Sequence, residues 1–164
     1  MRLPSLVAGA ALLSGRCTPP ETCVPLDCPV FPTGLAVHPR GDRLAVGAPG
    51  ANGVGLAYVY GYTRGLGWTM ATLLTAPLPM AGARFGEAVA VAQGQVLVGE
   101  TATSLPPIDM VTGRAYVHDE ANGWAATQTL TPLDSEAGDR FGLAIAVDGD
   151  VAVIGAPGKE GARG

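Results

Sequence analysis

The sequence predicts an all-β fold built from repeated four-stranded antiparallel units. Three observations predict it. A phrase opening on phenylalanine recurs, "RFGEAVAVAQGQVLVGE" from Arg84 and "RFGLAIAVDGDVAVIGAPG" from Arg140, with Phe85 and Phe141 56 residues apart. Each full repeat divides into four short runs dominated by Val, Ala, Ile and Tyr, separated by Gly, Pro, Asn or Asp. No helical period of useful length follows residue 30, and 24 glycines and 14 prolines among 164 residues favour turns over long helices. Four-stranded units repeating at this length indicate the blades of a β-propeller, here a partial one of about two and a half blades.

The first unit opens "FPTGLAVHPRGDRLAVGAPG", with Phe31-Pro32 standing where Phe-Gly stands later. The interval from the opening phenylalanine to the last valine of the first strand is the same in all three units: Phe31 to Val37, Phe85 to Val91, Phe141 to Val147. The agreement runs on through "GLAYVYGY" (55–62) and "GRAYVHDE" (113–120), then "GWTMATLLT" (67–75) and "GWAATQTLT" (123–131). Turn-rich linkers, "APLPMAGA" and "PLDSEAGD", close the units. The blades therefore fall at about 31–83, 84–139 and, incomplete, 140–164. In the second unit the strands are expected at 88–92, 95–99, 114–118 and 124–131. The first hairpin turns have two residues each, Gln93-Gly94 and Asp148-Gly149, pairs that suit a type I′ turn. Runs such as Val151-Ala152-Val153-Ile154 are apolar without alternation and so need cover on both faces. Neighbouring blades give that cover. An all-β sandwich would not require the whole unit to repeat.

These motifs resemble the FG-GAP repeats of the integrin α-chain propeller, and more closely their bacterial relatives. The FG elements are Phe85-Gly86 and Phe141-Gly142. The GAP elements are Gly47-Ala48-Pro49 and Gly155-Ala156-Pro157. In the second unit Gly99-Glu100-Thr101 replaces the latter. The resemblance covers residues 31–164 and implies a propeller of six or seven blades, of which this chain carries a part. Three explanations of that shortfall stay open: a fragment of a longer product, a ring closed by self-association, or an open arc.

The N-terminal region reads differently. Met1-Arg2 precedes the apolar run "LVAGAALL" (6–13), as in a signal peptide, so residues 1–17 are expected to be an export leader. A buried helix is the competing reading. "LLSGRC" places Cys17 where a lipoprotein carries its lipid anchor, but Arg16 occupies a position that needs a small residue. Ordinary cleavage near Cys17 is therefore expected, with lipidation as the alternative. Residues 18–30 form a Pro- and Cys-rich linker, in which Cys23 and Cys28 could close a disulfide in an oxidising compartment. The protein is expected to be secreted or displayed at the cell surface.

The formal net charge of −4 is spread without basic stripes, which argues against nucleic-acid binding. No apolar run reaches the roughly 18 residues of a membrane span. Nucleophile-elbow, zinc-protease and phosphate-loop signatures are absent, so no catalysis and no cofactor are expected. The resemblance implies calcium between strands one and two in some family members. Ca²⁺ takes six to eight oxygens, and a two-residue turn cannot wrap it, so no metal site is expected here. Arg40-Gly41-Asp42 reads as a hairpin turn, His118 as a solvated strand end, and Trp68 and Trp124 as packing between blades.

In such blades the 2–3 and 4–1 connections share one end, and all the long segments here are of those kinds. Leu105, Ile108, Asp109 and Met110 lie on one of them, and Asp134, Glu136 and Asp139 on another. These are the candidate binding residues, for an unknown protein or glycan. The expected function is a non-catalytic exported adhesion or binding module. The alternative is the propeller portion of a larger extracellular enzyme whose catalytic part lies outside this chain.

Overall fold

The computed structural model describes residues 34–38, 40–101 and 112–159. The leader, the linker with Cys17, Cys23 and Cys28, and Phe31-Pro32 lie outside the described residues. The first sheet is a meander of β1 (Gly34–Val37), β2 (Arg43–Ala48), β3 (Leu56–Thr63) and β4 (Gly67–Leu74), with every neighbouring pair antiparallel. The second repeats it with β5 (Phe85–Ala92), β6 (Gln95–Glu100), β7 (Arg114–Asp119) and β8 (Ala125–Leu130). β9 (Ala144–Asp148) and β10 (Val151–Gly155) form a third hairpin. The fold is all-β, with sheets arranged as the blades of a partial propeller. Even the irregularities repeat: the β3–β4 register shifts between Val59 and Tyr60, and the β7–β8 register at the equivalent Val117 and His118.

Three details differ from the sequence reading. β5 starts at Phe85, ahead of the expected run, because Phe85 pairs with Glu100 across an irregular stretch before Val89. β8 starts after Trp124, which adopts φ 66° beside Gly123 at φ 65°. The hairpin turns are not type I′, which needs positive φ at both central residues. At Gln93-Gly94 only Gly94 (φ 72°) has it. In the third unit the turn is Gly149-Asp150, one residue later than expected, with positive φ at Gly149 (55°). Pairing Asp148 with Val151 puts the single glycine at the first central position, where a type II′ turn wants it.

The core lies between sheets. Ala45, Ala57, Val59 and Leu74 of the first meet Phe85, Val89, Val91, Val96, Val98 and Tyr116 of the second. Phe85 is fully buried, worth roughly 1.5–3 kcal/mol relative to exposure. A smaller cluster of Ala90, Leu97 and Val117 covers Ile145 and Val147 of β9. Arg43 adds a polar tie between the first two sheets, its Nη2 2.7 Å from Glu120 Oε1.

Backbone contact sets the distance between blades. A Cβ on Gly47 would overlap the Gly86 carbonyl oxygen, and one on Gly55 the Phe85 carbonyl. The next junction repeats this, Gly99 against the Gly142 carbonyl and Gly113 against the Phe141 carbonyl. The Phe-Gly glycines themselves need positive φ, 92° at Gly86 and 88° at Gly142. Thus each FG turn seats its backbone on two glycines of the preceding blade.

Gly99 has ordinary φ, so its requirement is purely steric. Gly99→Ala is expected to cost about 2–3 kcal/mol, since the obstacle is backbone that cannot rotate away. Gly94→Ala, which meets no atom within 4 Å, is expected to cost only about 1 kcal/mol through its positive φ. Urea denaturation midpoints of the two variants check the difference.

Candidate functional site

The loop-bearing end is built from the 2–3 and 4–1 connections. In the first sheet the β2–β3 connection closes on itself through a 3-10 turn at Ala51–Gly53, where Gly55 N donates to Ala51 O at 2.8 Å. It is then tied to the following 4–1 segment. Gly82 N donates to Gly53 O (2.7 Å) and Phe85 N to Val54 O (2.9 Å). Ala76 and Ala83, in that segment, are buried. These connections are part of the scaffold and hold the next blade's opening turn in place.

The second 4–1 segment carries three of the predicted binding residues, and they do different things. Asp139 is 2% exposed; its Oδ2 accepts from Glu136 N at 2.8 Å, and its backbone carbonyl accepts from Gly158 N at 3.0 Å. Its carboxylate thus organises the loop. Asp134 lies outside, 3.0 Å through Oδ2 from Lys159 Nζ, which also stands 3.7 Å from Asp139 Oδ2. The lysine hydrogen bond holds the Asp134 carboxyl below its ordinary range. The Glu136 side chain is exposed. Lys159 follows the Gly155-Ala156-Pro157 element, so the loop before the hairpin and the turn after it are clamped together. Leu105, Ile108, Asp109 and Met110, on the β6–β7 connection, lie outside the described residues.

At the base of that connection is a buried polar group that the sequence reading noted only as a departure from GAP. Glu100 is 1% exposed. Tyr116 Oη donates to its Oε1 at 3.4 Å, and Arg114 hydrogen-bonds Tyr116 in turn. Among the described residues its Oε2 has no partner. Burial pushes the Glu100 carboxyl up, against the smaller opposing pull of Arg114 and the tyrosine hydrogen bond. The signal in the sequence was the change of small, uncharged Ala48 and Ala156 to a glutamate at an interior motif position.

His118 corrects another expectation. It is 3% exposed, not a solvated strand end. The Phe85 ring meets it edge-on with centroids 5.9 Å apart, and its Nδ1 donates to Trp124 O at 3.0 Å. Desolvation lowers its pKa, partly offset by the Trp124 carbonyl. Trp124 packs against the core between the first two sheets, whereas Trp68 meets Tyr62 in an edge contact at 5.4 Å on its own sheet.

At the opposite end the short hairpin turns converge. His38, Gln93, Gln95, Asp148 and Asp150 line a cleft of about 210 Å³ there. Arg40-Gly41-Asp42 forms a turn with Gly41 at φ 71°, and Asp42 Oδ1 is held 2.9 Å from His38 Nδ1. The two-residue turns offer too few oxygens for Ca²⁺. Among the described residues no three His, Cys, Asp or Glu side chains gather as a metal site requires, and no helix is long and apolar enough to cross a membrane.

Repeating sheets, the second and third seated on their predecessors through Phe-Gly turns, define an all-β repeat protein with propeller-like blades. Residues 124–164 match the FG-GAP repeat family, so the chain carries the repeat that its opening motifs resemble. The matched span runs from Trp124 in the second blade through β10, so one sequence repeat straddles two sheets. No curated protein matches the chain.

The buried acid and the buried histidine give opposite pH dependences. Because folding raises the Glu100 pKa, its stabilising neutral form is expected to be lost as pH rises from about 4.5 through the raised value. Glu100→Gln should flatten that decline and be more stable than the parent at neutral pH, read from urea midpoints across the range. Because folding lowers the His118 pKa, stability in the Glu100→Gln background should fall as pH drops through about 6.5. Adding His118→Gln should remove that dependence.

Proposed function

We infer that this chain is a non-catalytic, exported FG-GAP repeat module that binds a protein or glycan through its 2–3/4–1 loop end. The observation that carries the reading is the division of labour between scaffold and loops. Backbone seats between glycines fix the blades, while the connections at one end differ in length and chemistry from blade to blade. The β2–β3 connection is a short turn closed by its own hydrogen bonds, and the β6–β7 connection is much longer, with apolar and acidic residues in "ETATSLPPIDMVTG". Variable loops on a rigid frame are where recognition usually resides. The beginning of the sequence supports export. The exposed Asp134 and Glu136 beside that end add acidic contacts for a polar ligand.

Shortening the β6–β7 connection by replacing 103–110 with Asn-Gly tests the site. On an array of extracellular-matrix proteins and glycans, the parent is expected to give a signal that the shortened variant loses, with thermal stability unchanged. Asp134→Ala should weaken binding by about fivefold or less, as befits an exposed charge. Retention of the full signal by the shortened variant, or its loss on Gln93→Ala at the other end, would contradict the assignment.

A further inference from the structure

The cleft at the short-turn end is made by no blade alone. His38 follows β1 of the first sheet, one wall comes from the β5–β6 hairpin with Val91 and Gln95, and another from the β9–β10 hairpin with Val147, Asp148 and Asp150. Three successive first hairpins therefore meet around one space. The glycine seats that fix the second blade on the first and the third on the second also fix these walls relative to one another.

The polar atoms left uncommitted there are acceptors. His38 Nδ1 lies 2.9 Å from Asp42 Oδ1, whereas the Arg40 amide approaches the same nitrogen only at 3.4 Å. A carboxylate accepts and does not donate, so Nδ1 carries the hydrogen and Nε2 is left bare. Gln95 turns its NH₂ group to Asp119 Oδ2, 3.4 Å away, which leaves its carbonyl oxygen free. Among the described residues the carboxylates of Asp148 and Asp150 have neither an ion pair nor a hydrogen bond. The cations of this end do not serve them: Arg43 is spent on Glu120 at 2.7 Å, and Arg40 is exposed on its own turn.

Size and lining narrow the occupant. A volume of about 210 Å³ lies below the roughly 300–1,000 Å³ of ordinary small-molecule pockets, so the space suits one side-chain-sized group. Val91 and Val147 give it apolar walls, which suit a methylene stem. A sugar hydroxyl carries two acceptor lone pairs for each donor and would leave them unmatched against bare acceptors. An ammonium or guanidinium group only donates.

We propose that this cleft binds an organic cation, an ammonium or guanidinium group on an aliphatic stem, with Asp148, Asp150, Gln95 and His38 as its acceptors. The cleft lies at the opposite end from the long loops, so its occupancy stands apart from whatever those loops bind.

The test titrates the isotopically labelled full chain by NMR with Nα-acetyl-lysine methylamide, Nα-acetyl-arginine methylamide, the uncharged norleucine analogue, 1,5-diaminopentane and CaCl₂. The lysine or arginine probe is expected to shift the backbone amides of Gln93, Gln95 and Asp150. Preference for a capped residue over the diamine would assign a protein side chain as the source, and the reverse a free amine; either supports the cleft as a cation site. Asp148→Asn with Asp150→Asn should weaken binding by about tenfold or more, as loss of charged hydrogen bonds implies. Both positions are exposed, and an unchanged Val96 amide resonance shows that the double variant keeps its fold. Raising salt from about 0.05 M to about 0.5 M should weaken binding severalfold. Asp134→Asn, at the loop-bearing end, should leave it unchanged. Equal binding of the norleucine analogue, full binding by the double variant, or no shift with any cationic probe would overturn the proposal. So would Ca²⁺ producing the same shifts at lower concentration than the amines, because it would make the cleft a metal site.

Discussion

The contact between a Phe-Gly carbonyl and a glycine of the preceding blade is the constraint on which the architecture rests. Two sheets stacked through side chains alone lie about 10 Å apart. Here backbone meets backbone at one end of the interface, at Gly47 with Gly86 and at Gly99 with Gly142. At the core of the first junction, side chains such as Val89, Val91 and Val59 keep the sheets apart. Close approach at one end and side-chain thickness elsewhere wedge the sheets, and wedging turns a stack into a fan. The requirement is for the absence of a side chain, which no flexible residue can imitate.

That constraint explains why the fold was readable from so few letters. Phe-Gly and the glycine of Gly-Ala-Pro recur because each member of the contact must lack a Cβ, and the spacing between them is the path from one blade to the next. The alternation of strands and turns, the strand order and the need for cover on both faces of the second strands all follow from the same repeat. The family unit from 124 to 164 runs across the junction and so contains the seating turn with the linker that delivers it.

What escaped the sequence was set by neighbours rather than by local pattern. His118 looks like a solvated strand end beside Asp119 and Glu120, yet Phe85 from a different strand closes over it. Trp68 and Trp124 occupy matching positions, but among the described residues Trp124 lies against the core between the first two sheets, whereas Trp68 meets Tyr62 on its own sheet. The turn at Gly149-Asp150 slipped by one residue because pairing register, not the dipeptide, decides which residues are central. At the candidate site, Asp134 and Asp139 read alike in sequence. Position relative to Lys159 and Gly158 makes one an exposed ion-pair partner and the other a buried loop brace.

Glu100 shows how much a backbone-determined interface tolerates. An acid at an interior position would be expected to push the blades apart, since an ionised carboxylate in a dry site is costly. The seat at Gly99 and Gly142 does not involve the glutamate side chain, and the Tyr116 hydroxyl takes up part of its hydrogen-bonding need. Burial displaces the Glu100 pKa upward, which favours the neutral carboxyl relative to an exposed glutamate. The blade therefore keeps its geometry while the chemistry under the long β6–β7 connection changes. Because position is fixed by glycines, the residues at the loop end are free to diverge from one blade to the next.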